Sequence, residues 1–274
     1  MKFENTISKA LDILKGFDEV AAVGLSGSSV SGKQDEMSDL DIAVFASWEL
    51  PDPETRKARY ATYGISDLAY FDVDFEVSRG DGLQIDDVDC SFIWMSLQKA
   101  RAFLQALTED FDCDEFLPGG LMTMQTLLDP DETIASLRDS VPSYPEIRAR
   151  QRITRNLREA HYSIYVLAWL QKAAIRNDYF SFLKNEYEVM DRFFTALFAL
   201  NHQWFSHEKR LTEIVSGFEV VPRDVGYRIK SIIMHKNSCE DLSRCQQEIK
   251  RLFADLAAIS QEKYPGLNVP RDWK

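Results

Sequence analysis

Gly27-Ser28-Ser29-Val30-Ser31-Gly32-Lys33-Gln34-Asp35-Glu36-Met37-Ser38-Asp39-Leu40-Asp41 lies between two short apolar runs, Val20 to Leu25 and Leu40 to Phe45. Both runs have the length and the Gly/Ser boundaries of buried strands, so the stretch between them is expected to be a loop or short helix. Asp39 and Asp41 are two residues apart on the edge of the second strand. Side chains on a strand alternate with period two, so both carboxylates project from one face while Leu40 anchors the other. Two like charges side by side are unfavourable unless something neutralises them. Magnesium, which takes oxygen ligands from one or two carboxylates plus substrate phosphate, is the natural answer. At the other end, Gly27 and Ser28 follow a strand and can open a short helix whose N–H groups face phosphate oxygens. Glycine there removes the Cβ that would hold a phosphate off the backbone, and Gly32 supplies the turn back to the second strand. Taken singly, a Gly-Ser loop and an Asp-x-Asp strand edge are common surface features. Together in one strand-loop-strand context they point to a nucleotide-and-metal site.

Working outward, residues 5–16 place Ile7, Ala10, Leu11 and Leu14 on one helical face, with Gly16 where a C-cap is expected. Leu68 to Val77 alternates apolar and acidic residues, Arg79-Gly80-Asp81-Gly82 reads as a turn, and Leu83 to Trp94 reads as another strand before a helix from Leu97 to Leu107. Beyond Pro118-Gly119-Gly120, strand signals give way to helical periodicity over 121–127, 131–138, 144–176, 179–203, 206–216, 222–234 and 240–263, with an extended tail from Tyr264. The expectation is an α+β chain: a mixed sheet with helices over 1–117, then an all-helical domain over 118–274.

The Gly-Ser…Asp-Leu-Asp string resembles the signature of the nucleotidyltransferase superfamily that includes DNA polymerase β, the antibiotic nucleotidyltransferases and minimal nucleotidyltransferases. The resemblance implies that Gly27 and Ser28 hold a triphosphate, that Asp39 and Asp41 hold magnesium, and that a third carboxylate from a neighbouring strand completes a site for two ions. The family's third position reads apolar-Asp-apolar after a hairpin. Val88-Asp89-Cys90 fits it best, with Asp87 and Asp74 as rivals. ATP or another nucleoside triphosphate is the implied substrate, and Asp89 would help hold the second ion or take the acceptor's proton.

The helical half is similar to a bacterial group of uncharacterised nucleotidyltransferases in its Lys172-Ala-Ala-Ile-Arg176-Asn-Asp178 and Leu200-Asn201-His202-Gln203-Trp204 segments. Lys172 and Arg176 share a helix face with Trp169, so they join Gly27, Ser28 and Ser38 as expected nucleotide contacts. The plainer reading of the two cations is a solvated helix end. Asn201 and Lys209 are candidates for holding substrate, and equally for capping and surface charge. Arg155 and His161 have the spacing of the Arg-x(4 to 6)-His motif of HEPN ribonucleases, but an Arg and a His six apart on a long helix are more often structural.

Composition bounds the rest. A net charge of −12 disfavours extended nucleic acid and suits a cationic, aminoglycoside-like small acceptor. The N-terminal 17 residues do not read as a signal peptide and no apolar run reaches membrane-spanning length, so a cytoplasmic protein is expected, with an oligomer allowed. Cys90, Cys113, Cys239 and Cys245 lack metal-like spacing and read as reduced thiols. The competing function is a non-catalytic nucleotide-binding protein or a toxin/antitoxin-type regulator, against which the intact Gly27, Ser28, Asp39 and Asp41 argue.

Overall fold

The structure, a computed structural model, describes residues 2–27, 30, 39–75, 78–108, 115–205, 210–270 and 272–273. The chain forms two compact units, Met1–Pro142 and Ser143–Lys274. The first holds α1 (Lys2–Leu14), β1 (Val20–Ser26), β2 (Leu40–Ala46), α2 (Pro53–Thr62), β3 (Leu68–Asp74), β4 (Arg79–Ile85), β5 (Val88–Ser96), α3 (Leu97–Ala106), α4 (Phe116–Thr123), β6 (Gln125–Leu128) and α5 (Thr133–Asp139).

The six strands make one sheet in the order β3-β4-β5-β2-β1-β6, in which β2 and β5 run parallel and every other neighbour is antiparallel. Alternation sorts the two faces. Leu40, Ile42 and Val44 of β2, with Cys90, Phe92 and Trp94 of β5, join Ala10, Ile13 and Leu14 of α1 and Tyr60 of α2 in one buried core. Each fully buried Leu, Ile, Val or Phe there contributes roughly 1.5–3 kcal/mol. Helix α2 starts where its sequence allows: Asp52 accepts the Thr55 N–H at 3.0 Å and Pro53 occupies the first turn.

Three expectations are corrected in this unit. Arg79-Gly80-Asp81-Gly82 is strand, not turn. Its glycines serve packing: a Cβ at Gly80 would stand 2.3 Å from the Phe75 ring, and one at Gly82 would stand 2.4 Å from Tyr70. The reversal falls instead at Asp86-Asp87, both left-handed at φ 51 and 60, as a two-residue hairpin between right-twisted strands requires. Finally, the helix expected over 121–127 ends at Thr123. Residues 125–128 become β6 because the open edge of β1 offers unpaired backbone groups, and Gly24 leaves room for the Met124 thioether. The first unit therefore runs past the expected break at 117 to Pro142.

The second unit contains α6 (Glu146–His161), a π-helical turn (Tyr162–Val166), α7 (Trp169–Ile175), α8 (Tyr179–Leu200), α9 (Leu211–Ser216), α10 (Val225–Met234) and α11 (Cys239–Lys263). Its core centres on Phe193, Leu197 and Phe253, none of them exposed. The single helix expected over 144–176 is broken after the π-helical turn, where Ala168 takes φ 51. Asp178 caps α8 by accepting the Ser181 N–H at 3.1 Å. No helix among the described residues is long and apolar enough to cross a membrane.

Candidate active site

The outer face of the sheet, opposite the core under α1 and α2, carries the candidate chemistry. Ser26, the last residue of β1, pairs in register with Asp41 of β2, and its hydroxyl donates to the Asp41 carbonyl at 3.2 Å. Gly27 follows at φ 72, and its carbonyl accepts the Val30 N–H at 3.4 Å, which starts a tight turn. A Cβ at Gly27 would lie 2.4 Å from the Asp41 Oδ2. Two requirements thus converge on glycine, a left-handed backbone and van der Waals room for a carboxylate.

Asp39 is half-buried immediately before β2, and Asp41 is half-buried within it. Ser28 and Ser38 lie outside the described residues, as does Gly32. Among the three candidates for the third acid, Asp74 ends the edge strand β3 beside Arg79, and Asp87 sits in the left-handed turn. Asp89 alone is on β5, the strand next to β2. The β2–β5 ladder opens with Leu40 opposite Cys90, so Asp39 and Asp89 each precede the same rung. Burial pushes the Cys90 thiol up to about 12, and the charges of Asp89 and Asp39 add to that push. Asp89 is exposed and accepts the Gln84 amide at 3.2 Å. Among the described residues, no three acidic, His or Cys side chains are gathered into a ready-made metal cage. A pair of carboxylates is the number magnesium commonly takes from protein, with water and phosphate filling the rest.

Asp41 and Ser26 also edge a cavity of about 580 Å³. Its floor is the outer face of β2 and β5, at Phe45, Ile93 and Met95, and α3 and α4 contribute Phe103 and Leu121. The Tyr70 hydroxyl donates to Ser91 Oγ at 2.8 Å in the same wall. Sequence reasoning missed this cavity, because its walls come from six separate elements with no shared motif.

On the inner face the sheet holds a different carboxylate. Asp81 of β4 is fully buried and accepts from Arg56 Nη1 at 2.6 and 2.5 Å, from the Tyr60 hydroxyl at 2.6 Å, from Trp94 Nε1 at 3.0 Å and from the Asp72 N–H at 3.0 Å. Arg56 also bonds Asp72. Burial and the Asp81 charge push the Tyr60 phenol up, so it remains a donor.

In the helical unit, Lys172 and Arg176 come together with Trp169 along a groove of about 480 Å³, all three exposed. Asn201 caps α8, donating to Leu197 and Val220 carbonyls at 2.9 and 2.8 Å, and Lys209 lies outside the described residues. His161 bonds the Asp272 carbonyl at 2.8 Å and stacks on Tyr165, while Arg155 pairs with Glu159 at 3.0 Å. These are packing roles, and they leave the Arg-x-His spacing without a shared site.

Residues 7–106 match the nucleotidyltransferase domain model. No curated protein matches. Among solved structures, the chain is similar to a nucleotidyltransferase-like protein from Exiguobacterium sibiricum 255-15, with a TM-score of 0.43 and 8% identity over 95% of this chain and 77% of that one. The family model spans α1 to α3 and takes in the Gly27 turn, Asp39, Asp41 and Asp89. The chain therefore carries, over residues 7–106, a nucleotidyltransferase domain of the DNA polymerase β type.

Proposed function

We propose that the protein is a magnesium-dependent nucleotidyltransferase that moves a nucleoside monophosphate from a nucleoside triphosphate, ATP in the first instance, to an acceptor hydroxyl. The acceptor oxygen attacks the α-phosphorus, the bond to the bridging oxygen of the β-phosphate breaks, and its electron pair leaves with pyrophosphate. Asp39 and Asp41 hold the magnesium, which when bound offsets the charge of the phosphate oxygens. Gly27 lets the backbone close on the triphosphate, with Ser28 and Ser38 in the same connecting segment. Asp89 takes the acceptor proton or supports a second ion.

The observation that carries this reading is the rung joining Ser26 to Asp41, with a left-handed Gly27 against the Asp41 carboxylate at the edge of a cavity. A glycine so placed has no packing role that alanine could share. An aminoglycoside-like acceptor draws support from the acidic surplus of the first unit, whereas the apolar cavity walls favour a flat or uncharged group.

The test is pyrophosphate release from each of the common nucleoside triphosphates with magnesium, across hydroxyl acceptors that include aminoglycosides and nucleic-acid ends. Turnover that needs magnesium and is lost in Asp41→Asn is expected. Tight ATP binding without turnover on any acceptor would instead mark a binding or regulatory protein.

A further inference from the structure

The chain's charge is divided unevenly. The first unit has 11 Lys and Arg against 28 Asp and Glu, a net of −17, whereas the second has 21 against 16, a net of +5. The total of −12 conceals a basic helical unit. Charge asymmetry of this kind is a signature of polyanion binding by one part of a chain.

Part of the surplus is concentrated on one surface of α6, α7 and α8. Two grooves, of about 950 and 480 Å³, meet at Trp169 and Glu188. Seven cations line them: Arg150, which pairs with Glu146, and Arg155, Arg158, Lys172, Arg176, Lys184 and Arg192. The acids among them are Glu159, which pairs with Arg155 and Arg192, Asp178, which caps α8, and Glu188. Among the described residues, Arg158, Lys172 and Lys184 make no ion pair. Three aromatic rings lie between the cations and face solvent: Tyr162 at 53%, Trp169 at 42% and Phe180 at 82% exposure. Two of these positions arise from the interrupted helix. The π-helical turn carries Tyr162 and the left-handed Ala168 precedes Trp169, so neither ring is folded back into the core. Leaving three large rings in water forgoes burial that the same residues would gain inside.

We infer that this surface binds single-stranded nucleic acid. Cations along a groove can track a phosphate backbone, and solvent-facing rings spaced between them give exposed bases a stacking platform. Five of the seven cations are arginines, whose planar fork suits phosphate and whose face also stacks. A duplex offers phosphates but no free base faces, so it should bind more weakly. An anionic membrane would call for a continuous apolar face ringed by cations; here cations and rings alternate along concave grooves. The inference does not depend on nucleotidyl transfer.

Fluorescence anisotropy with the full chain tests it, using labelled oligouridylate and oligothymidylate of about 15 nucleotides at roughly 50 mM salt. Binding should be saturable, and the triple variant Arg158→Ala, Lys172→Ala, Lys184→Ala should weaken it by at least about tenfold and flatten the salt dependence. Trp169→Ala should weaken it by about tenfold with the salt slope unchanged. Asp41→Asn should bind as the parent does, which separates this surface from the proposed active site. Circular dichroism confirms that the variants remain folded; the four groove positions are all exposed. No binding at low salt, equal binding by the triple variant, equal affinity for a duplex, or binding only to phosphatidylserine vesicles would each overturn the inference.

Discussion

The two faces of the N-terminal sheet each hold an aspartate, and the two are treated in opposite ways. Asp81, on the covered face, is wholly buried and receives donors from Arg56, Tyr60, Trp94 and a backbone N–H. Its charge is balanced inside the fold. Asp41, on the other face, stays half-buried at the edge of a cavity, and the residue against it is a glycine with no side chain to offer. A carboxylate that serves stability is surrounded by donors of its own chain. One proposed to serve a ligand is kept where a ligand can reach it.

The two aspartates should therefore fail differently when changed. Asp41→Asn is expected to lower the rate of pyrophosphate release by about a thousandfold, since it removes a charge that acts on the reacting phosphates. Its midpoint of denaturant unfolding should stay put or rise; a large fall would erase the distinction drawn here. Asp81→Ala should cost about 3–5 kcal/mol of stability, because it leaves the buried Arg56 guanidinium without its main counter-charge. Urea unfolding measures this, and the protein that remains folded should keep magnesium-dependent activity. Gly27→Ala lies between the faces in character. The left-handed backbone costs about 1–2 kcal/mol, and the displaced Asp41 carboxylate should lower activity by more than that strain alone.

The smallest effect concerns a half-buried group without an opposite charge strong enough to hold it ionised. Burial first, and then Lys263, hold the His202 imidazolium below its ordinary range, while it bonds the Tyr264 hydroxyl at 2.5 Å. The unfolded chain then binds a proton more readily than the folded one. The stabilisation from neutral His202 is complete above the ordinary value of 6.5 and is lost as pH falls below it through the folded value. His202→Gln should make the melting temperature less sensitive to pH between about 7 and 5.

Much of the outer face was legible in the sequence, since strands β1 and β2 are announced by two apolar runs and a glycine-serine boundary. The period-two spacing of Asp39 and Asp41 needs nothing beyond local geometry. What was not legible depends on distant partners. Gly80 and Gly82 look like turn residues until Phe75 and Tyr70 are seen lying on them. Residues 125–128 look helical until the free edge of β1 recruits them. Ala168 carries no helix-breaking signal, yet the helix stops there. The basic surface is hidden for a simpler reason: the net charge of the whole chain averages two halves that differ in sign.

The parallel pairing of β2 with β5 has a consequence for assembly. The hairpin β4–β5 closes through two residues, but Leu40 meets Cys90 only after the chain between them has crossed over. Contacts of such long sequence separation are slow to form, because the entropy of closing the loop is lost before they can repay it. Asp41 and the β5 wall of its cavity thus come together only with this rung. Affinity for the proposed metal and nucleotide should accordingly mature only once this long-range pairing has formed, making ligand binding a timer for that step in the assembly of the N-terminal unit.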